Sequence, residues 1–223
     1  MKILVVAATE PEVGGLIAAL GVNDLATGRP KNKAWKLNDQ VSLLITGVGM
    51  TATAFALGHH LATHQYDLLL NLGIAGSFDR SIELGEVVEI TEDTLSELGA
   101  ENNEQFIPIK ELGFGEGHFA ATTALASYAT AHSLKQVSAV TVNTVHGNEQ
   151  SIALLSSRLH AQLESMEGAA FFYVCQQLQV PGLQIRAVSN YVEKRNRDNW
   201  KIGLAIKNLN NFAADLLSEL STG

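Results

Sequence analysis

The chain has 223 residues, with 15 Lys and Arg against 23 Asp and Glu, and a net charge of −8 when its 7 histidines are neutral. Its basic residues are scattered through segments such as 29–36 and 193–197, so it lacks the basic stripe of a nucleic-acid binder. Hydrophobic residues at 46% and charged residues at 17% describe a packed chain, expected as one α/β domain over 1–223.

Segment 2–8, "KILVVAA", reads as a first strand. It holds one Lys and a short apolar run followed by acidic residues, which is not the pattern of a secretory signal, so a cytoplasmic location is expected. The stretch 11–20 has helical spacing and follows it. Strands are expected at 41–49, 67–76, 86–94, 139–145 and 182–190, where Val, Ile and Leu form short runs. Helices are expected at 51–64, 167–178 and 203–220. Short apolar strands between amphipathic segments describe a sheet covered by helices on both faces. No apolar stretch approaches the roughly 20 residues of a membrane span. The lone Cys175 excludes an internal disulfide framework, and no His/Cys spacing suggests zinc, so neither metal nor cofactor is expected.

Four of these strands end in small or polar residues: "AATEPE", "TGVGMTA", "NLGIAGS" and "RAVSN". In open α/β sheets ligands sit beyond the carboxyl ends of the strands, where glycine lets backbone amides approach and helix N-termini offer free N–H groups. Taken alone, "TGVGMT" lacks the third glycine of a dinucleotide fingerprint and fits a tight turn equally well.

Glu10 and Glu12 follow the first strand, with Thr9 a possible cap and Pro11 a first-turn residue. Both suit a helix N-terminus, where the dipole favours negative charge, and both suit catalysis. Glu167 lies between Met166 and the apolar run "GAAFF". A carboxylate expected to be buried there needs a hydrogen-bonded partner, and carboxylates are good acceptors for sugar hydroxyls. Arg186, inside "QIRAV", needs a partner too, with Glu12 or Glu167 the candidates.

In chain order, "KILVVAATEPEV", "ITGVGMTATA", "NLGIAGSF" with "LGEVVEI", "SMEGAA" and "IRAVSN" resemble the nucleoside phosphorylase/nucleosidase superfamily over nearly the whole chain. Within it, "AVSNYVEKRNRDNW" is more similar to the futalosine hydrolases, nucleosidases of the alternative menaquinone route, than to the methylthioadenosine/S-adenosylhomocysteine nucleosidases. The resemblance implies a three-layer α/β domain around a mixed, partly barrel-like sheet, a small nucleoside as partner, and assembly as a homodimer or larger homo-oligomer. It also implies roles. Glu12 falls on the general base towards water, Glu167 on the ribose-binding carboxylate, Met166 on the residue packing under the sugar, and Arg186 on the arginine that holds the water and its base. Ala75 and Gly76 fall on the base-binding loop, and His146 lies past a strand end where the superfamily lines the base pocket, although it fits a plain turn as well. Gly47, Val48 and Ser189 complete the expected substrate-binding set. The sequence departs from the adenine nucleosidases at Asn190, which replaces a general-acid aspartate, and at Ile74, where those enzymes often carry Ser.

Cleaving an N-glycosidic bond builds an oxocarbenium-like sugar while the purine leaves with negative charge. Aspartic acid can protonate N7. Asparagine cannot, but its amide offers one acceptor and two donors, which suits the O6 of a 6-oxopurine, so Asn190 points to hypoxanthine or guanine rather than adenine. A phosphorylase needs cationic groups near the anomeric carbon, yet two carboxylates follow the first strand and the first arginine is Arg29. Hydrolysis of futalosine to hypoxanthine is therefore expected. The alternatives are a methylthioadenosine/S-adenosylhomocysteine or aminodeoxyfutalosine nucleosidase, a purine nucleoside phosphorylase, or a binding protein without catalysis. Arg195, Arg197 and Asp198 fit either a loop near the substrate's carboxylated tail or a solvated charge run. Phe106, Ile107 and Pro108 fit loop packing or a subunit contact, and Phe171, Phe172 and Tyr173 fit the core.

Overall fold

The computed structural model describes residues 1–21, 34–129 and 133–222; residues 29–33 of the first basic segment, Arg29 included, lie outside them. The chain runs β1 (Ile3–Ala7), α1 (Glu10–Ala19), β2 (Trp35–Lys36), β3 (Val41–Ile45), α2 (Met50–Leu61), β4 (Leu68–Ser77) and β5 (Val87–Leu95). Next come β6 (Gly99–Asn102), β7 (Gln105–Pro108), β8 (His118–Ala120), β9 (Lys135–Thr141) and α3 (Glu149–Arg158). The chain closes with β10 (Leu163–Ser165), α4 (Gly168–Leu178), β11 (Gly182–Tyr191) and α5 (Ile202–Thr222).

Along one path the strands are ordered β10-β9-β5-β11-β4-β1-β3-β2, and a further β10–β4 pairing joins the first strand of that path to its middle. Five strands thereby close into a ring, while β1, β3 and β2 extend from β4 as an open wing. The sheet is mixed: β1 runs parallel to β3 and β4, whereas β5 runs antiparallel to β11 and β10 antiparallel to β4. Alternation along the buried strands sorts side chains to two faces. Leu68, Leu70 and Leu72 pack with Leu16 of α1 and Leu209 of α5, while Leu69 packs with Leu57 of α2 and with Phe171 and Phe172 of α4.

The six expected strands and four expected helices all form, although the strand expected over 139–145 is displaced to Lys135–Thr141. The segments β2, β6, β7, β8, α3 and β10 add to them. Tyr173 differs from its two neighbours in being 44% exposed, with its ring edge-on to Phe119 at 5.5 Å. Phe106 lies on the β6–β7 hairpin under the Arg158 guanidinium at 4.1 Å.

Candidate active site

The carboxyl ends of β1, β3, β4 and β11 meet the start of α4 around a crevice of about 410 Å³, a size suited to a small molecule. Glu12, Val48, Ala75, Gly76, His146, Met166, Glu167, Ser189 and Asn190 all line it. Arg186 does not reach the lining, being 1% exposed behind it. Gly47 is also outside the lining: its N–H donates to Ala8 O at 3.1 Å and ties the end of β3 to that of β1. Larger hollows of about 680 and 770 Å³ lie by Lys2, Gln40 and Tyr66. These sit at the amino ends of the parallel strands, opposite the place where such sheets bind ligands.

Glu10 and Glu12 part company at α1. Glu10 is exposed, whereas Glu12 is 8% exposed and faces the crevice. The Thr9 N–H and hydroxyl donate to Glu12 Oε2 at 2.9 and 2.8 Å, and the Ile74 N–H reaches Oε1 at 3.3 Å. At position 74, then, it is the backbone amide that meets the carboxylate. Asn210 of α5 holds this turn from behind. Its Oδ1 accepts from Leu16 N at 2.6 Å and its Nδ2 donates to Glu12 O at 2.8 Å, bridging two groups that a helix would pair with each other.

Glu167 stands at the N-cap of α4, where Gly49 N donates to its Oε1 at 3.0 Å. Arg186 Nη1 lies 3.7 Å from its Oε2, so of the two carboxylates expected to pair with Arg186, Glu167 is the one within ion-pair distance. Glu12 is still close. A Cβ on Gly73 would overlap Arg186 Nη1 and lie 3.2 Å from Glu12 Oε1, so the guanidinium and the carboxylate converge over bare backbone. Behind them, Arg186 Nε donates to Gln184 Oε1 at 3.0 Å, and Gln184 Nε2 donates to Asp93 Oδ2 at 3.2 Å. Burial pushes the Asp93 carboxyl up to about 7, against the opposing bonds from Thr141 and Gln184 and the Arg186 charge. Gly168 starts α4 directly over this pair, where a Cβ would overlap Asp93 Oδ2 and Gln184 Oε1. Arg186 Nη2 is buried without a hydrogen-bond partner, leaving one strong donor unspent beside the crevice.

Asn190 is aimed by a bulge. The β11–β4 register pairs Val188 with Ala75 and Asn190 with Gly76, so Ser189 is the extra residue, and such bulges redirect the next side chain. The Ser189 hydroxyl lies 2.8 Å from Asn190 Oδ1 and 3.2 Å from Ala75 O, and Asn190 Nδ2 donates to Tyr191 O at 3.0 Å. One amide N–H remains.

The β10–β4 and β11–β4 pairings place Glu164 and Asn190 on either side of Gly76. His146 N donates to Glu164 Oε1 at 2.9 Å, and His146 Nδ1 is in close contact with Glu164 Oε2. Burial raises the Glu164 carboxyl above its ordinary value, opposed by its bonds with His146. Arg195 and Trp200 form another wall, with the guanidinium 4.9 Å from the indole centroid, whereas Arg197 and Asp198 are exposed and outside the lining.

Sequence reasoning missed Glu164, Gln184, Asp93, Asn210 and the role of Gly73. Gln184 shared with Arg186 the signal of a polar residue inside an apolar strand, so the same satisfaction argument applied to it. The other four are linked to the site only through distant parts of the chain.

A model of the phosphorylase superfamily matches residues 2–221. A futalosine hydrolase of Streptomyces coelicolor is 32% identical, covering 100% of this chain and 97% of that protein. One from Thermus thermophilus is 30% identical, covering 79% of this chain and 80% of that protein. Among solved structures, a methylthioadenosine/S-adenosylhomocysteine nucleosidase from Colwellia psychrerythraea, in complex with adenine, superposes with a TM-score of 0.79 at 23% identity, covering 99% of this chain and 96% of that one. The chain therefore belongs to the phosphorylase superfamily, and its relatives there include futalosine hydrolases.

Proposed function

We propose that the crevice hydrolyses the N-glycosidic bond of futalosine, releasing hypoxanthine and dehypoxanthine futalosine, and that the enzyme acts as a cytoplasmic homo-oligomer. The observation that carries this reading is the similarity, 32% identical over the whole chain, to a futalosine hydrolase, on a chain whose crevice joins Glu12, Glu167 and Asn190. Glu12 takes a proton from water, with Arg186 nearby to orient the two. Glu167, anchored by Gly49 N and Arg186, accepts from the ribose hydroxyls, and Met166 packs against the sugar. The free N–H of Asn190 donates to O6 of the base, where a 6-amino group would set donor against donor. Arg195, stacked on Trp200, offers a fork to a carboxylate on the substrate's tail.

Water suits this site better than phosphate, because a dianion at the anomeric carbon would face Glu12 and Glu167. One observation favours a second reading, an adenine nucleosidase: in its present orientation Asn190 also offers one donor and one acceptor, the pattern that matches the N6/N7 edge of adenine.

The test is turnover of futalosine by the unmodified protein and by Glu12→Gln in phosphate-free buffer. The expected result is free sugar product from the unmodified protein, no gain on adding phosphate, and a fall of roughly 100- to 10,000-fold in kcat for Glu12→Gln with futalosine still bound. Turnover that rises with phosphate would make it a phosphorylase. Binding without turnover by the unmodified protein would leave a nucleoside-binding protein.

A further inference from the structure

A departing purine must gain a proton, and Asn190 has none to give. The crevice does hold one group equipped to supply it. His146 and Glu164 both line the crevice, and the His146 side chain, 14% exposed against 2% for that of Glu164, is the more open of the two. With Nδ1 committed to Glu164, Nε2 is the nitrogen left to a bound molecule. Placement follows from the sheet: Glu164 and Asn190 flank Gly76 from opposite strands, about 10 Å apart at the Cα level. A base lying over Gly76 is thus held between the Asn190 amide and the His146 ring.

We infer that His146, oriented by Glu164, is the proton donor to the leaving purine, a task that Asn190 cannot perform. The inference rests on the nucleosidase reading above. In the step, the N9–C1′ bond breaks and its electron pair leaves with the purine. His146 Nε2 gives its proton to a purine ring nitrogen. The water oxygen bonds to C1′ as Glu12 takes the water's proton. The His146–Glu164 pair begins with one proton on Nε2 and a second shared between Nδ1 and the carboxylate, and ends with only the second. Solvent then removes the proton from Glu12 and restores the one on His146, so that one water is consumed overall.

Burial favours keeping a proton within the pair, since it raises the Glu164 carboxyl. Two other charges bear on the pair. Glu97, whose carboxylate accepts from Asn143, acts on Glu164, and Arg195 packs against Gly147, where a Cβ would lie 3.2 Å from the arginine Cβ. The first favours the protonated pair and the second opposes it.

The experiment is the pH dependence of kcat and KM for futalosine with the unmodified protein, His146→Gln and Glu164→Gln, each checked by thermal melting. The unmodified protein should lose kcat on the alkaline side as the pair deprotonates. His146→Gln should lower kcat by roughly 100- to 10,000-fold, leave KM within a few-fold and abolish the alkaline limb. Glu164→Gln should move that limb to lower pH, because the carboxylate no longer favours the imidazolium. A His146→Gln variant that keeps most of its kcat, or loses activity through KM with the limb intact, overturns the inference. If the variants melt below the assay temperature, an unmodified protein with no alkaline limb overturns it equally. Failure of the nucleosidase reading looks different, because the unmodified protein would then release no purine at all.

Discussion

In the proposed function a single amide, that of Asn190, carries the choice of base. Ser189 and Tyr191 fix its orientation, which leaves one N–H free for a ligand. Asn190→Asp removes that donor and supplies a carboxylate that accepts from an amino group. The ratio of kcat/KM for 6-oxo over 6-amino substrates should fall by roughly 5- to 150-fold, the range of one unmatched buried polar group; an unchanged ratio would free Asn190 from base selection. Asp93 makes a different prediction, about stability. Its carboxyl is raised to about 7 by burial, so the folded chain binds its proton more tightly than the unfolded chain, where the value is about 3.9. That preference stabilises the fold fully below about pH 4 and is lost as pH rises to about 7. Asp93→Asn should therefore weaken the fall in melting temperature across that window. Identical slopes for the two proteins would show that Asp93 does not titrate there.

Elements deliver these residues to one place through backbone features that side chains alone would not provide. β4 passes Arg186 at Gly73, and α4 starts over Asp93 at Gly168; in both places a Cβ would overlap a polar group. Gly73→Ala should displace the guanidinium from Glu167, reducing activity far more than the roughly 1–3 kcal/mol expected of an overpacked site. Activity and melting temperature measured together would check this, and a variant with the activity and melting temperature of the unmodified protein would contradict it. The long buried strands were legible in the sequence because both of their faces are apolar. β10 was not: Leu163–Ser165 has a single apolar residue, and what makes it a strand is its pairing with β9 and β4. The β6–β7 hairpin, largely exposed and containing "GAEN", lacks an apolar period for the same reason. α3 is announced only by its Asn148 cap, whose Oδ1 accepts from Gln150 N and Ser151 N. Among site residues, those at strand ends were readable from small or polar residues after apolar runs. Glu164 was not, since its value lies in a partner 18 positions away in the chain.

Across the whole molecule, ring closure gives the crevice its two sides. β11 supplies Asn190 and β10 supplies Glu164, and β4 runs between them. α1, held by Asn210 of α5, brings Glu12 beside Glu167 and Arg186. In the function proposed above, a nucleoside would lie with its base over Gly76, its ribose at Glu167 and its tail towards Arg195 and Trp200, all of which line the crevice. The central claim is hydrolysis of a 6-oxopurine nucleoside with an extended tail. It is tested most directly by incubating the protein with futalosine, methylthioadenosine and inosine in phosphate-free buffer and identifying the free purine by chromatography. Hypoxanthine from futalosine, with little or no purine from the other two, is the predicted result. Adenine from methylthioadenosine with futalosine left intact would contradict it.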